Sequence, residues 1–435
     1  MNKDSNIFLN KKILIYGLGK TGISTYNFLK NKSSVFLFDD FLLKKKKIPN
    51  LKSKLINHKK ILNTKFDLII LSPGIDIHKC KLSKFLKKNK KKIFSDLDIF
   101  YAFYKNDNIT ITGTNGKSTT CQLLYEIFSS QKIDVRLVGN IGNPILSIKK
   151  VKKKTIFIIE ASSYQLEYSQ LFKSKYAAIL NLSPDHLERH KTFKNYVKAK
   201  FKLLINQSNS DFFFVSKDNI YIQKKLRSLR AKSKIIEFDA RRVKKFLIKI
   251  SNDYFLNEAN VENLSFVLEI MSKFKIKKEI LKKTVQNFKG LKYRQQIVFK
   301  KKNLTIINDS KSTSFSSSIG ALKTNPNIYW LLGGIFKKGD KLILPRKYYK
   351  NIRAFIYGKN KKPFIKELDG RIKYQNFNSI KDALKKIFID VKNGKLQNRT
   401  IFFSPCAASF DSFKNFEDRG SYFNNLIKSY LNGAK

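Results

Sequence analysis

The chain has 435 residues, with 89 Lys+Arg against 32 Asp+Glu and a formal net charge of +57. At roughly 150 residues per domain this length accommodates about three domains, each with its own core. Lysines recur in short runs such as Lys44–Lys47 and Lys90–Lys92, arginines are few, and no RNP-like, helix-turn-helix-like or zinc-finger-like pattern occurs. The charge therefore reads as a composition bias on solvated faces. It suits polyanionic substrates, and no specific nucleic acid is expected. Cys80, Cys121 and Cys406 are scattered and odd in number, which argues against a disulfide framework and for a reducing compartment. No apolar run of about 20 residues is present, so no membrane span is expected. The N-terminal MNKDSNIFLNKK has no apolar stretch of signal-peptide length, and a cytoplasmic location follows as an expectation.

In chain order, residues 11–40 read as a βαβ unit. Lys12–Tyr16 is a strand, Gly17-Leu-Gly19-Lys-Thr-Gly22 a turn, Ile23–Lys30 a helix, and Ser34–Phe38 a second strand ending at Asp39-Asp40. The three glycines fit the G-x-G-x-x-G fingerprint, with an acid about 20 residues on, which taken alone points to a dinucleotide. A third strand, Phe66–Leu71, runs into Ser72-Pro73-Gly74, at the carboxyl end where parallel sheets bind ligands. Phe94–Lys105 closes a first domain, residues 1–105.

A second domain, residues 106–295, starts with ITITGTNGKSTTCQ at Ile109–Gln122. Its alternating β-branched start reads as a buried strand, Gly113 and Gly116 as a turn, and Lys117 onward as a helix. Strand, glycine turn and helix N-terminus hold phosphate, because backbone N–H groups and the helix dipole both favour an anion. Lys117 is placed to reach the β/γ-phosphates and Ser118 to ligate Mg²⁺. The full P-loop pattern has a further glycine at position 111, where this chain has isoleucine, so the loop is shortened. Leu137–Pro144 reads as a turn cluster after a strand. Thr155–Glu160 is a strand ending in a carboxylate, the expected place for another Mg²⁺ contact. Ala177–Leu182 is a strand leading to Asp185-His186, where the imidazole serves as metal ligand or substrate contact. A helix follows with Lys200, and another opens at Asn260–Asn263.

A third domain, residues 296–435, has strands at Leu304–Asn308, Ile328–Leu332, Arg353–Tyr357 and Thr400–Ser404. Strands alternating with helices mean a mostly parallel sheet. The fold class expected is α/β in three domains: a Rossmann-like N-terminal domain, a central P-loop ATPase-type domain and a C-terminal Rossmann-like domain.

Gly113–Thr119 as GTNGKST, Asn140-Ile-Gly, Glu160 with Ser-Ser-x-Gln, Asp185-His186, the Lys200 helix and Asn308-Asp309-Ser310-Lys311 occur in one order. Over the whole chain this set resembles the Mur ligases of peptidoglycan synthesis. The Gly17–Gly22 turn with Ser72-Pro73-Gly74, and the tail Ser409–Gly420, resemble the member that adds D-glutamate. The Asp-Asn-Pro-Arg string typical of the ligase adding the third, diamino residue is absent from the sequence. The resemblance implies that the first domain holds a uridine nucleotide rather than NAD, through Lys20, Thr21, Asp39 and Ser72, with Asn140 and His186 on the sugar-peptide. It implies ATP contacts from Gly113, Thr114, Asn115, Gly116, Lys117, Ser118 and Thr119, and from Asn263, Arg294 and Asp309. Two Mg²⁺ ions are implied, one at Ser118 and Glu160, the other at His186 and a carbamylated Lys200. Lys311, Thr313, Lys337, Ser409 and Phe416 match the D-glutamate pocket. The catalytic residues implied are Lys117, Glu160, His186 and Lys200, with Lys198, Lys202 and the metals favouring the neutral amine that carbamylation needs. Two positions depart from the family pattern: Tyr293 where histidine is usual, and Cys406-Ala407 where Ala-Cys is common.

The reaction implied is amide formation. ATP phosphorylates the alanyl carboxylate of UDP-N-acetylmuramoyl-L-alanine, and the amine of D-glutamate attacks the acyl phosphate. A monomer is expected. The competing readings are another Mur-type or folylpolyglutamate-type ligase, and a non-enzymatic or nucleic-acid-binding protein exploiting the +57 charge.

Overall fold

The computed structural model describes residues 6–41, 49–301, 303–393 and 398–432; the lysine run at 44–47 lies outside the described residues. Two compact units emerge, one of Met1–Ala240 with Ser265–Leu281, the other of Arg241–Leu264 with Lys282–Lys435.

The first unit holds two parallel sheets. One is built from β1 (Lys12–Tyr16), β2 (Ser34–Phe38), β3 (Leu68–Leu71) and β4 (Ile93–Phe94), in the spatial order β2-β1-β3-β4. The chain leaves β1 toward β2 and returns to its other side at β3. The ends of β1, β2 and β3 therefore meet at a switch point, where open α/β sheets bind ligands. The other sheet has β5 (Asn108–Thr112), β6 (Val135–Gly139), β7 (Ile156–Glu160), β8 (Tyr176–Ile179), β9 (Phe212–Ser216) and β10 (Lys234–Phe238), in the order β10-β9-β8-β5-β7-β6. Its central strands are buried on both faces, β5 along its whole length, as the continuous apolar run requires in a parallel sheet covered by helices.

One core runs through both sheets, from Ile13 and Ile15 to Phe157 and Ile159. The helix Asp96–Phe103 joins them. Phe100 packs edge-on to Phe157 with ring centroids 4.9 Å apart. The buried Asp98 accepts from Ser169 Oγ and from the backbone N–H groups of Gln170, Leu171 and Phe172 at 2.7–3.0 Å. A buried carboxylate satisfied by four donors makes this joint specific as well as tight.

The second unit has a mostly parallel sheet of β11 (Gln296–Lys301), β12 (Leu304–Asn308), β13 (Ile328–Gly333), β15 (Ile352–Tyr357), β16 (Lys373–Phe377) and β17 (Arg399–Phe403), in the order β11-β12-β17-β13-β15-β16. Only the β11–β12 pair is antiparallel among these. A short antiparallel ribbon pairs β14 (Ile335–Phe336) with β18 (Ala407–Ala408). The α/β class expected from the alternation of strands and helices holds.

Several local readings shift. Leu137–Gly139 belongs to strand β6 itself and not to a turn, and the turn starts at Asn140. The strand expected through Leu182 ends at Ile179, because Asn181 leaves the ladder to bond the phosphate loop. β9, an apolar run inside its sheet, goes unnamed in the sequence reading. β10, β11 and β16 escape it too, and each of these three is an edge strand with exposed polar positions, so neither an apolar run nor a clean alternation marks it. Among the described residues no helix is long and apolar enough to cross a membrane.

Candidate active site

Sheet order builds the site in the first unit. β8, β5 and β7 are neighbours, so the loops leaving their carboxyl ends converge. The phosphate loop follows β5 and turns into the helix Lys117–Ser130 at Gly116, whose φ of +83° only glycine adopts without strain. Asn181, just past β8, anchors the loop: its Oδ1 accepts from Asn115 N–H at 2.9 Å and its carbonyl from Thr114 N–H. Lys117 Nζ donates to the carbonyls of Gly113 and Thr114, both at 2.9 Å, which sets the ammonium over the loop.

Glu160 ends β7, in register with Ile111 of β5 and Gly139 of β6. It is buried. Its Oε2 accepts from Ser118 Oγ at 2.6 Å and its Oε1 from Asn140 Nδ2 at 2.6 Å. Four expected site residues, Lys117, Ser118, Asn140 and Glu160, thus lie around one loop. A carboxylate and a hydroxyl at a helix N-terminus form a hard-oxygen pair of the kind that holds Mg²⁺ together with substrate phosphates, so this donor set fits that ion.

Lys200 is 1 % exposed, on the helix Phe193–Ile205. Its Nζ donates to Gly113 O at 2.8 Å and to Thr112 Oγ1 at 3.2 Å, and lies 4.7 Å from the centre of the Tyr196 ring. Burial, then the charge of Lys117, hold this amine well below the ordinary lysine range, with Glu160 opposing. The sequence reading assigned that role to Lys198 and Lys202. The structure corrects it: Lys198 is exposed, Lys202 Nζ is bonded to the carbonyls of Glu167 and Ser169, and neither acts on Lys200.

His186 has φ +54° and starts the short helix Leu187–His190. Its Nδ1 is 2.8 Å from the Tyr164 hydroxyl. Its Nε2 is 3.4 Å from Asp185 Oδ2. Burial lowers its pKa to about 4, with Lys200 and Lys117 adding to the effect and Glu188 opposing, so the ring is neutral at pH 7. A neutral imidazole keeps a lone pair for a metal or an N–H for an oxyanion, as its tautomer dictates.

In the first sheet, Gly17, Asp39 and Ser72 meet at the switch point. Asp39 Oδ2 accepts from Leu18 N–H at 2.7 Å, and Ser72 Oγ donates to Gly17 O at 2.6 Å. The helix Lys20–Leu29 begins at Lys20 and Thr21. A Cβ on Gly22 would lie 1.9 Å from Gly17 O, so only glycine lets helix and turn close together here.

In the second unit, Asp309 follows β12 and is buried. It accepts from Gln295 N–H at 3.1 Å and Ser404 Oγ at 3.0 Å. Burial pushes its carboxyl up to about 7, against the pull of Ser404, Gln295 N–H, Arg294 and Arg419. Arg294 sits between two left-handed residues, Tyr293 at φ +62° and Gln295 at φ +48°. The Tyr293 ring packs on the Cα of Gly420, where a Cβ would come within 2.3 Å of it. This gives the departure from histidine a packing role. Lys311 Nζ lies 4.0 Å from the Phe416 ring centre. The β14–β18 ribbon holds the segments bearing Lys337 and Ser409 side by side, while Thr313 stands exposed in the loop after Lys311. Asn263 is buried on the helix Glu258–Met271.

The sequence reading gave no role to Thr112, Tyr164, Asn181, Tyr196 or Arg419. Arg419 is 1 % exposed and ties the site segments of its unit together, donating to Ser310 Oγ and O at 3.1 and 2.7 Å and to Ala407 O at 2.9 Å. Only the short polar residue Asn181, placed between a strand and Ser183-Pro184, left a signal that could have been read.

Two parallel sheets with loops gathered at their carboxyl ends, one carrying a phosphate loop backed by a buried carboxylate, define a nucleotide-binding α/β protein of the P-loop kind. Family models agree: the Mur ligase middle domain matches residues 111–287, and the MurD-like N-terminal domain of Mur ligases matches residues 11–94. The chain belongs to the Mur ligase family, among the UDP-N-acetylmuramoylalanine–D-glutamate ligases. It is 31 % identical to the protein of that name from Rickettsia bellii, over 97 % of this chain and 98 % of that one. With its namesake from Caldicellulosiruptor bescii the identity is 32 %, covering 97 % and 98 %. Among solved structures, UDP-N-acetylmuramate-alanine ligase MurC from Thermotoga maritima shares the fold at TM-score 0.54 and 15 % identity, covering 98 % of this chain and 100 % of that one. A MurF ligase from the same organism, in complex with ADP, does so at TM-score 0.55 and 12 % identity, covering 98 % and 97 %.

Proposed function

We propose that this chain joins D-glutamate to the alanyl carboxylate of UDP-N-acetylmuramoyl-L-alanine in peptidoglycan synthesis, converting ATP to ADP and phosphate. The observation that carries the reading is the cluster at the end of β5, where Lys117, Ser118, Glu160 and the buried Lys200 surround one phosphate loop.

A carboxylate is a poor electrophile, and phosphorylation activates it. The loop N–H groups and Lys117 hold the nucleotide phosphates and offset charge on the group in transfer. Asn263, Arg294 and Asp309 are assigned to ATP as well. Asn140 and the neutral His186 orient the sugar-peptide so that its carboxylate faces the γ-phosphorus. Once the acyl phosphate forms, the amine of D-glutamate attacks, phosphate leaves from the tetrahedral intermediate, and His186 with the ion it would hold would offset charge on the oxyanion. Mg²⁺, two ions in our reading, supplies Lewis-acid charge neutralisation at the phosphates. Ser118 and Glu160 would hold one ion, His186 and a carbamylated Lys200 the other. A carbamate keeps one N–H, so Lys200 can retain its bond to Gly113 O while presenting a carboxylate.

The test is phosphate release from ATP with UDP-N-acetylmuramoyl-L-alanine, with and without D-glutamate. Sustained release requires both. D-Glutamate is the expected acceptor, with Lys311 and Lys337 as cations for its two carboxylates and Thr313, Ser409 and Phe416 completing the pocket. A purified enzyme that preferred meso-diaminopimelate or L-alanine would overturn this assignment.

The Gly17–Gly22 turn, with Lys20, Thr21, Asp39 and Ser72, is assigned to a uridine nucleotide. Fluorescence titration should show UDP binding and none of NADH. Micromolar affinity for NADH without any for UDP would return the turn to the dinucleotide class.

A further inference from the structure

A cavity of about 1060 Å³ opens in the first unit, outside the groups assigned to the ligase reaction. Its walls are the segment Lys87–Ile93 at the edge of the first sheet, the turn at Ile77-His78, the end of the helix Ser163–Tyr168, and the face of the helix Phe193–Ile205 with the preceding Arg189–Lys191. None of Gly17, Lys20, Asp39, Ser72, Asn140, Ser118 or His186 lines it.

Nine of its nineteen lining residues are lysine or arginine, against 89 in 435 for the whole chain. The cavity is thus more than twice as cationic as an already basic protein. Glu167 is its one acidic lining residue, and Arg189 already bonds it, Nε to Oε2 at 3.3 Å. The two other fixed cations of the wall donate to backbone carbonyls: Lys92 Nζ to Phe66 O at 2.8 Å, and Lys202 Nζ to Glu167 O and Ser169 O. Lys87, Lys88, Lys90, Lys91, Lys191 and Lys198 stand exposed around this frame. Their mutual repulsion is felt within it. Lys202 is held below the ordinary lysine range first by burial and also by Lys90 and Lys198.

We propose that this cavity binds a small anion carrying several phosphates, at a site separate from those for ATP and the uridine substrate. Cations gathered from two sheets into one concavity focus a field that a single surface lysine lacks. An anion there relieves like-charge repulsion as well as pairing with each ammonium. The volume is that of a small-molecule pocket, about 300–1,000 Å³. Ile77, Ile93 and the Tyr168 ring give it an apolar floor for the part of the ligand between its charges. Arg189–Lys191 follow His186 directly, so the occupant would lie one short helix from the ligase centre.

The test is calorimetric titration of the full chain with tripolyphosphate at about 0.1 M salt, where exposed charges more than about 10 Å apart are largely screened. Saturating UDP and a non-hydrolysable ATP analogue occupy the other phosphate sites. Binding should persist under these conditions. Lys87→Glu/Lys90→Glu/Lys91→Glu should weaken it by about tenfold or more, a shift of one order in Kd. The control Lys11→Glu/Lys30→Glu/Lys32→Glu makes the same charge change on another basic surface of this unit and should change it by less than about twofold. Lys90→Gln/Lys91→Gln, a milder variant at exposed positions, should move Kd in the same direction if the triple variant fails to fold. Loss of binding once the nucleotides are present, or equal weakening by cavity and control variants, would overturn the proposal. So would binding of single-stranded RNA with none of tripolyphosphate.

Discussion

Lys200→Ala is expected to fold and to lose ligase activity by at least about 10²–10³-fold, the range for removing one charge-stabilising group from a closed site. The amine is buried, lies against Gly113 O and Thr112 Oγ1, and is held well below the ordinary lysine range by burial and by Lys117, which favours its neutral form. A neutral amine is the form that reacts with CO₂, and the product exchanges a positive charge for a negative one beside Glu160. Short carboxylic acids such as acetate should therefore restore part of the rate to Lys200→Ala by filling the vacated position. Lys200→Met, which keeps most of the volume, should be as inactive and should not be rescued. A thermal midpoint close to that of the parent for Lys200→Met separates loss of chemistry from loss of packing. Near-normal activity of Lys200→Ala in bicarbonate-free buffer would end the carbamylation proposal.

Lys117→Ala is expected to lower the ligase rate by about 10²–10³-fold with the fold retained. The side chain is half-buried over its own loop and donates to the carbonyls of Gly113 and Thr114. Asn181 anchors the loop independently, at Asn115 N–H and Thr114 N–H. Removing the ammonium therefore leaves the loop's shape in place and takes away the charge that faces phosphate. Lys117 also depresses the Lys200 amine, so the variant should in addition shift the pH at which activity rises toward higher pH. Activity within a few-fold of the parent would make the lysine a structural element of the turn.

Much of the site was legible because its chemistry is local. A strand, a glycine turn and a helix start within fourteen residues specify a phosphate loop, since the backbone itself makes the anion site. The same holds for Gly17–Gly22, where a Cβ at Gly22 has no room. Glu160 was readable as an acid closing an apolar strand, because such a strand is buried and its last residue lies at the carboxyl end of the sheet, where ligands bind. The third sheet's central strands were readable for the same reason. Its edge strands β11 and β16 were not, because half-exposed edges carry polar residues that match loops as well.

What the sequence determined by itself was the set of residues that act through their own backbone neighbourhood: the two glycine turns, the helix starts and the acids at strand ends. What only the tertiary structure decided was how long-range partners change those residues. Helical spacing puts Lys200 on the face of Tyr196, Leu203 and Leu204 and Lys198 off it, but it does not say that the residue is buried to 1 % exposure. The orientation of one helix against the end of β5 decides it, and with it the protonation of the amine, because desolvation depends on what surrounds a group in space. Arg419 lies 109 residues from Ser310 in the chain and yet holds it by two hydrogen bonds. Such contacts are set by strand order, which places β12, β17 and β13 side by side, and no pattern of period two or 3.6 records it.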